Sequence, residues 1–243
     1  MVGPFVIAVA QPPCVPLDIA ANISIHARTV REARARVVVF PELSLTGYHM
    51  DAPTVSPGDR RFAPLVQACA DSGSVALVGA ALAGPTGKGT EKGLEQKGFI
   101  ALLAVDGSGV SVAYRKQWLS TEESRHFVAG GAPAVYEVDG RRLGLAICKD
   151  TSIAQHAADT SALGIDGYVA STLLSREETA ELPARACRVA AEHGAWVATA
   201  SFAGSTGEGY EHAAGCSGIW SKDGAVIEQV GPEPGLIAVA TFA

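Results

Sequence analysis

Arg141-Arg142-Leu143-Gly144-Leu145-Ala146-Ile147-Cys148-Lys149-Asp150 is the stretch on which the reading of this chain turns. An apolar, β-favouring run breaks off at a thiol, and two charged residues follow. Two other stretches share that form. Val37-Val38-Val39-Phe40-Pro41 runs into Glu42, and Val110-Ser111-Val112-Ala113-Tyr114-Arg115 runs into Lys116. Short apolar runs bounded by turn or charged residues read as strands. A reactive group at a strand end is held still by the sheet, while the loop beyond leaves room for a ligand. A thiol, a carboxylate and an amine gathered in this way can carry out acyl transfer through a thioester.

Working outward, Val2 to Gln11 reads as a strand stopped by Pro12-Pro13. Leu17 to Ala35 has apolar residues at helical spacing (Ile19, Ile23, Ala27, Val30, Ala33), with Asp18 as N-cap. Asp59 to Ser72 reads as a helix and Val75 to Leu82 as a strand. Gly84 to Gly93 reads as an exposed loop, without the pattern of a phosphate-binding loop. Strands are expected over Phe99 to Val105, Val110 to Tyr114 and Ala134 to Val138. Asp106-Gly107 and Asp139-Gly140 mark turns. Ser152 to Leu163 is a weaker helical segment, Gly167 to Ser171 a strand, and Arg176 to His193 a strong helix stopped at Gly194. Strands follow at Trp196 to Ser201, Ser217 to Trp220, Ala225 to Val230 and Leu236 to Thr241. This mixture of β-α units and hairpins predicts an α/β protein of mixed sheets with helices on their outer faces. No linker or repeat divides the chain, so residues 1–243 are expected to form one domain.

Hydrophobic residues make up 48% of the 243 and charged residues 18%, which suits a large core and argues against disorder. The net charge of −6 and the lack of a basic patch exclude a nucleic-acid binder. Five cysteines (Cys14, Cys69, Cys148, Cys187, Cys216) form an odd set without a C-x-x-C pair, which argues for a reducing compartment over a disulfide or zinc framework. The apolar run Phe5 to Ala10 is too short for a signal-peptide core, and no stretch reaches membrane-spanning length. A cytoplasmic protein without nucleic-acid or membrane partners is expected.

A free thiol ionises near ~8.5, so little thiolate exists at neutral pH unless a base takes the proton during attack. Glu42 can serve as that base. Lys116 can supply positive charge where an oxyanion develops, a contribution on the order of 3 kcal/mol for each such donor. The backbone N–H of Lys149, next to the thiol, is a second candidate donor.

With these residues in view, a family resemblance is clear. Phe40-Pro41-Glu42-Leu43-Ser44-Leu45-Thr46-Gly47-Tyr48, Tyr114-Arg115-Lys116-Gln117-Trp118-Leu119 and Gly144-Leu145-Ala146-Ile147-Cys148-Lys149-Asp150 resemble the glutamate, lysine and cysteine motifs of the nitrilase, or carbon–nitrogen hydrolase, superfamily. They occur in the family's order and at fitting separations. Glu123, followed by Phe127 and Gly130, resembles the family's second glutamate, which positions substrate and lysine; its neighbour Glu122 fits that spacing less well. Arg185-Ala186 and Gly215-x-Ser217 also match.

The resemblance implies a four-layer α-β-β-α sandwich with two mixed β-sheets, pairing as a homodimer through its helical faces. It implies hydrolysis, without metal or organic cofactor, of a non-peptide C–N bond in a small amide or carbamoyl compound, less often a nitrile. Cys148 is then the nucleophile, Glu42 the general base and Lys116 the oxyanion stabiliser. Tyr48, Trp118 and Ser171 are the candidates for lining the substrate pocket. The chain departs from the family pattern at Lys149, where an aromatic residue is common, and around Ile153-Ala154-Gln155. The Lys149 side chain is expected to point away from substrate. Two other readings compete. A Cys-His thiol hydrolase would make His156 essential, although no histidine sits in a recognisable catalytic motif. A non-catalytic scaffold would keep the fold but should have lost a catalytic residue.

Overall fold

A computed structural model of the chain describes residues 3–84 and 97–243. In chain order, β1 (Phe5–Gln11) leads to α1 (Ile19–Ala33), β2 (Val37–Val39), α2 (Ala63–Ser72) and β3 (Val75–Leu82). The hairpin β4 (Phe99–Asp106) and β5 (Gly109–Arg115) follows, then a single turn, α3 (Glu123–His126), and the hairpin β6 (Ala134–Val138) and β7 (Arg141–Ile147). The second half holds α4 (Ala154–Ser161), β8 (Gly167–Thr172), α5 (Glu181–His193) and β9 (Trp196–Ser201). It closes with the short pair β10 (Ala203–Gly204) and β11 (Ala213–Ala214), then β12 (Gly218–Trp220), β13 (Val226–Gln229) and β14 (Leu236–Phe242).

The long strands form two six-stranded mixed sheets, in the orders β14-β1-β2-β3-β4-β5 and β13-β12-β9-β8-β7-β6. Each has a parallel centre, β1-β2-β3 in one and β7-β8-β9 in the other, with antiparallel strands at its flanks. Alternation along the strands sorts side chains between two environments. Ile7, Val9, Val39 and Leu77 of one sheet meet Leu143, Leu145, Ile147 and Val169 of the other. The opposite faces bury Ala8, Val38 and Val78 under α1 and α2, and Ala146, Tyr168 and Val197 under α4 and α5. The layers therefore run α-β-β-α.

Local signals explain most element ends. The Asp18 side chain accepts from Ala21 N and opens α1. Gly194, at φ +63, closes α5. Asp139 and Gly140, at φ +50 and +75, make the turn between β6 and β7. Two expected helices start later than their periodicity suggests. Asp59 to Ser72 divides into a 3-10 turn, Arg60–Phe62, and α2; Arg176 to His193 divides into a 3-10 turn, Arg176–Glu178, and α5. Pro64 and Pro183 mark the true beginnings, because a missing N–H costs nothing in the first turn of a helix. The pair β10-β11 and the turn α3 were not expected. Of the loop expected from Gly84 to Gly93, the part from 85 on lies outside the described residues. No helix among the described residues is long and apolar enough to cross a membrane.

One close approach within the first sheet positions the segment that carries Glu42. The chain leaving β2 passes directly over Gly79 of β3, where a Cβ would lie 2.2 Å from Pro41 O and 2.6 Å from Leu43 N. Any side chain at this position must push the Glu42 segment away from the sheet. Gly79→Ala is expected to lower stability by about 1–3 kcal/mol in urea unfolding and to reduce catalytic activity with it, because the displaced segment carries Glu42.

Candidate active site

Cys148, Glu42 and Lys116 leave three different strands at neighbouring points of the molecule. Glu42 follows β2 and is buried. Its segment is pinned from several sides: Ser171 Oγ donates to Phe40 O at 2.5 Å, Leu45 N donates to Gly79 O at 3.2 Å, and Ser44 Oγ lies 3.0 Å from His26 Nε2. Lys116 follows β5, with its N–H on Ile100 O at 2.9 Å and its carbonyl accepting Gly130 N at 2.8 Å. Cys148 follows β7 and begins a short 3-10 helix, Cys148–Ser152, at φ +43. This left-handed backbone is unfavourable for a residue with a Cβ and is held only by its surroundings.

Lys116 is the centre of the cluster. Its Nζ donates to Glu42 Oε1 at 2.6 Å and to Glu123 Oε1 at 2.7 Å, and all three side chains are buried. Glu123 opens α3. Its Oε1 also accepts Tyr48 Oη at 3.0 Å, and its Oε2 accepts Ser120 N at 2.8 Å. Glu122, the competing residue, is exposed and pairs with Arg125. Glu42 Oε2 accepts no well-aligned hydrogen bond among the described residues, although the Cys148 thiol is near enough to the carboxyl to lower its proton affinity. That leaves one carboxylate oxygen free to accept a proton.

The electrostatics follow from burial. Removal from water pushes the Glu42 carboxyl up to about 7; Lys116 opposes this and Glu123 adds to it. Burial also raises the Cys148 thiol strongly, helped by the Glu42 charge and opposed by Lys116. For Lys116, burial favours the neutral amine, but Glu42, the Cys148 sulfur and Glu123 outweigh it and hold the ammonium charged. The resting pair is thus a thiol beside a carboxyl poised near neutrality, an arrangement in which a nucleophilic thiol would lose its proton during attack.

Cys148, Lys116, Glu123 and Tyr48 line one pocket of about 170 Å³, walled also by Leu173, Leu174 and Tyr210. Tyr210 packs edge-on against Tyr48 with ring centroids 5.2 Å apart. Cys148 Sγ donates to Leu173 O at 3.1 Å. Two expected pocket residues do not line it. Trp118 is 42% exposed on a loop. Ser171 is fully buried at the end of β8, because its hydroxyl is spent on Phe40 O, so it supports Glu42 from behind. The Lys149 ammonium is tied to Leu119 O at 2.8 Å, while its N–H lies in the first turn of the short helix, where amides have no intrahelical acceptor. Tyr210 was missed because nothing in the stretch around it is periodic or motif-like. Its only signal is an aromatic in a Gly-rich loop.

None of the six histidines lines this pocket. His156 is buried between the hydroxyls of Tyr114 and Tyr168, 2.9 Å from each, which removes the basis for a Cys-His pair.

Known proteins share this fold. The carbon-nitrogen hydrolase family model matches residues 6–242. The amidase of Nesterenkonia sp. AN1, from the nitrilase superfamily, superposes with a TM-score of 0.81 at 27% identity, covering 98% of this chain and 90% of that one. A Glu-to-Gln mutant of the same amidase is known with the acetamide moiety of fluoroacetamide covalently added at its active-site cysteine, at 28% identity, a TM-score of 0.79 and the same coverage. Saccharomyces cerevisiae Nit3, of branch 10 of the nitrilase superfamily, shares the fold with a TM-score of 0.84 at 18% identity, covering 98% of this chain and 89% of its own. Among curated proteins no significant match is found. Fold and neighbours together define an enzyme that hydrolyses carbon–nitrogen bonds. The chain belongs to the carbon-nitrogen hydrolase family.

The pH dependence follows from Glu42. A base must be ionised to act, and this carboxyl holds its proton below about 7. Activity, measured as kcat/KM, is expected to rise as pH rises through about 7. Glu42→Gln should remove that limb of the profile and lower the rate by roughly 100- to 10,000-fold.

Proposed function

We propose that this hydrolase cleaves small amides or carbamoyl compounds through a thioester on Cys148. One observation carries the reading: the Cys148 thiol, the Lys116 ammonium and Glu123 open into one small pocket, with the free Glu42 oxygen behind them. Ordinary ligand pockets measure about 300–1,000 Å³, so a cavity of about 170 Å³ favours a substrate of few atoms. Residues 1–243 act as one catalytic unit in this reading, since the site draws on both sheets.

The steps follow from position. Cys148 Sγ attacks the carbonyl carbon while Glu42 takes the thiol proton. The oxygen gains negative charge and is received by Lys116 Nζ and the Lys149 N–H. The tetrahedral intermediate collapses, the C–N bond breaks, and Glu42 passes its proton to the leaving nitrogen, which departs as ammonia or an amine. Water then attacks the thioester carbon and gives a proton to Glu42. The C–S bond breaks, the acid leaves, and the proton returns to sulfur. Glu123 holds Lys116 in place and balances its charge throughout. No metal or organic cofactor enters.

We further propose that two copies pair through their helical faces, as the family resemblance implies, and that the protein works in the cytoplasm, in keeping with its five free cysteines. Sedimentation velocity should then give twice the chain mass of 24.9 kDa.

Ammonia release from a panel of small amides, carbamoyl compounds and nitriles tests the reaction. Wild type should turn over at least one small amide. Cys148→Ala should lose roughly 10,000-fold or more in kcat, and an active Cys148→Ala enzyme refutes the mechanism. Fluoroacetamide should alkylate the Cys148 sulfur with loss of fluoride, adding one acetamide moiety to Glu42→Gln by intact mass, as at the active-site cysteine of the Glu-to-Gln amidase mutant, and none to a Glu42→Gln/Cys148→Ala double variant.

A further inference from the structure

Asp150 lies two residues beyond the nucleophile and contacts neither the pocket nor the Glu42–Lys116–Glu123 cluster. It is nonetheless completely buried. Its carboxylate accepts three hydrogen bonds. Oδ2 receives Ile147 N at 2.9 Å and Tyr114 Oη at 2.8 Å, and Oδ1 receives Trp118 N at 2.9 Å. The origins of these donors matter more than their number. Ile147 immediately precedes Cys148 on β7, while Tyr114 and Trp118 stand two residues before and two residues after Lys116 on β5 and its loop. One buried carboxylate therefore ties the chain entering the nucleophile to both sides of the lysine.

Tyr114 Oη receives a second tie at the back, from Gln117 N at 3.3 Å, and it lies 2.9 Å from His156 Nε2. A buried carboxylate without a cation is costly, and hydrogen bonds are what make it tolerable. His156 approaches Asp150 Oδ2 only at 3.9 Å, and burial holds its imidazole below the usual range, in the neutral form. An apolar residue at 150 would leave the Ile147 and Trp118 N–H groups and the Tyr114 hydroxyl without this acceptor; the acid caps the short 3-10 helix on Ile147 N and reaches beyond that local role to the strand and loop of Lys116.

We propose that Asp150 is a positioning residue that fixes the distance between the Cys148 sulfur and the Lys116 ammonium, and with it the left-handed backbone of Cys148. This rests on the reading that Cys148 attacks and Lys116 receives the oxyanion. Those two groups come from different strands, and no direct hydrogen bond joins them. The carboxylate supplies the link, through main-chain N–H groups and the Tyr114 hydroxyl. A displacement of about 1 Å at such a site costs on the order of 100-fold in rate.

Steady-state hydrolysis of a small neutral amide such as propionamide tests the assignment, with thermal unfolding measured on every variant. Asp150→Asn keeps the size but turns one acceptor oxygen into a donor that faces N–H or O–H groups. Its kcat should fall roughly 10- to 100-fold with KM changed by less than about threefold. Tyr114→Phe removes a single tie and should lower kcat several-fold, again with KM unchanged. Tyr168→Phe deletes a buried hydrogen bond on the far side of His156 and removes no hydrogen bond from Asp150, so it should lower the melting temperature while leaving kcat near wild type. Wild-type kcat in Asp150→Asn or Tyr114→Phe overturns the proposal. An equal loss of kcat in Tyr168→Phe overturns it too, because the network would then act only through overall stability. If Asp150→Asn does not fold, Tyr114→Phe against Tyr168→Phe decides the matter. A Cys148→Ala enzyme with full activity would instead refute the thioester reading beneath it, so the two failures are distinguishable.

Discussion

The structure depends on a lysine ammonium buried between two carboxylates. Taking Lys116, Glu42 and Glu123 out of water is expensive, and their mutual attraction repays the cost only with short, well-aligned contacts. The surrounding protein is built to hold those contacts. Glu42 is carried by a segment pressed onto Gly79 and hung from Ser171. Lys116 is fixed by main-chain bonds on both sides, and Glu123 is fixed by a one-turn helix whose first residues close on Ser120. Leaving any one charge unpaired in this place costs more than the cluster returns, so the site and the meeting of the two sheets stand together.

The arrangement also explains why the sandwich is needed. Glu42 and Lys116 stem from the sheet containing β1, and Cys148 from the sheet containing β7. The apolar layer between the sheets sets their separation through Val39, Leu77, Leu145 and Ile147, all buried. Chemistry at the end of that layer thus inherits the rigidity of a close-packed core. The pocket forms where this layer gives way to the loops of Tyr48, Leu173 and Tyr210.

Much of this was legible in the sequence. The strands ending at Glu42, Lys116 and Cys148 announced themselves as apolar runs broken by charge, and the motif order named the layers. Glu123 could be told from Glu122 by its spacing to Phe127 and Gly130, and the structure buries the first and exposes the second. The walls of the pocket were harder to read. Trp118 stands two residues after Lys116 and Ser171 near the end of a strand, yet Trp118 lies 42% exposed and the Ser171 hydroxyl is spent on a backbone carbonyl. Loop direction depends on distant partners, such as Thr206 Oγ1 receiving Tyr48 N at 2.7 Å, and no local pattern encodes it. The late starts of α2 and α5, by contrast, were written in Pro64 and Pro183, and periodicity alone overran them.

The raised proton affinity of Cys148 bears on how such an enzyme survives in use. Peroxides and stray electrophiles attack thiolate, and a thiol that stays protonated offers them little. In the proposed mechanism Cys148 gives up its proton only when a carbonyl carbon is at hand and Glu42 is free to accept it. The burial that calls for a base at each turnover of that mechanism also keeps the sulfur protonated between turnovers.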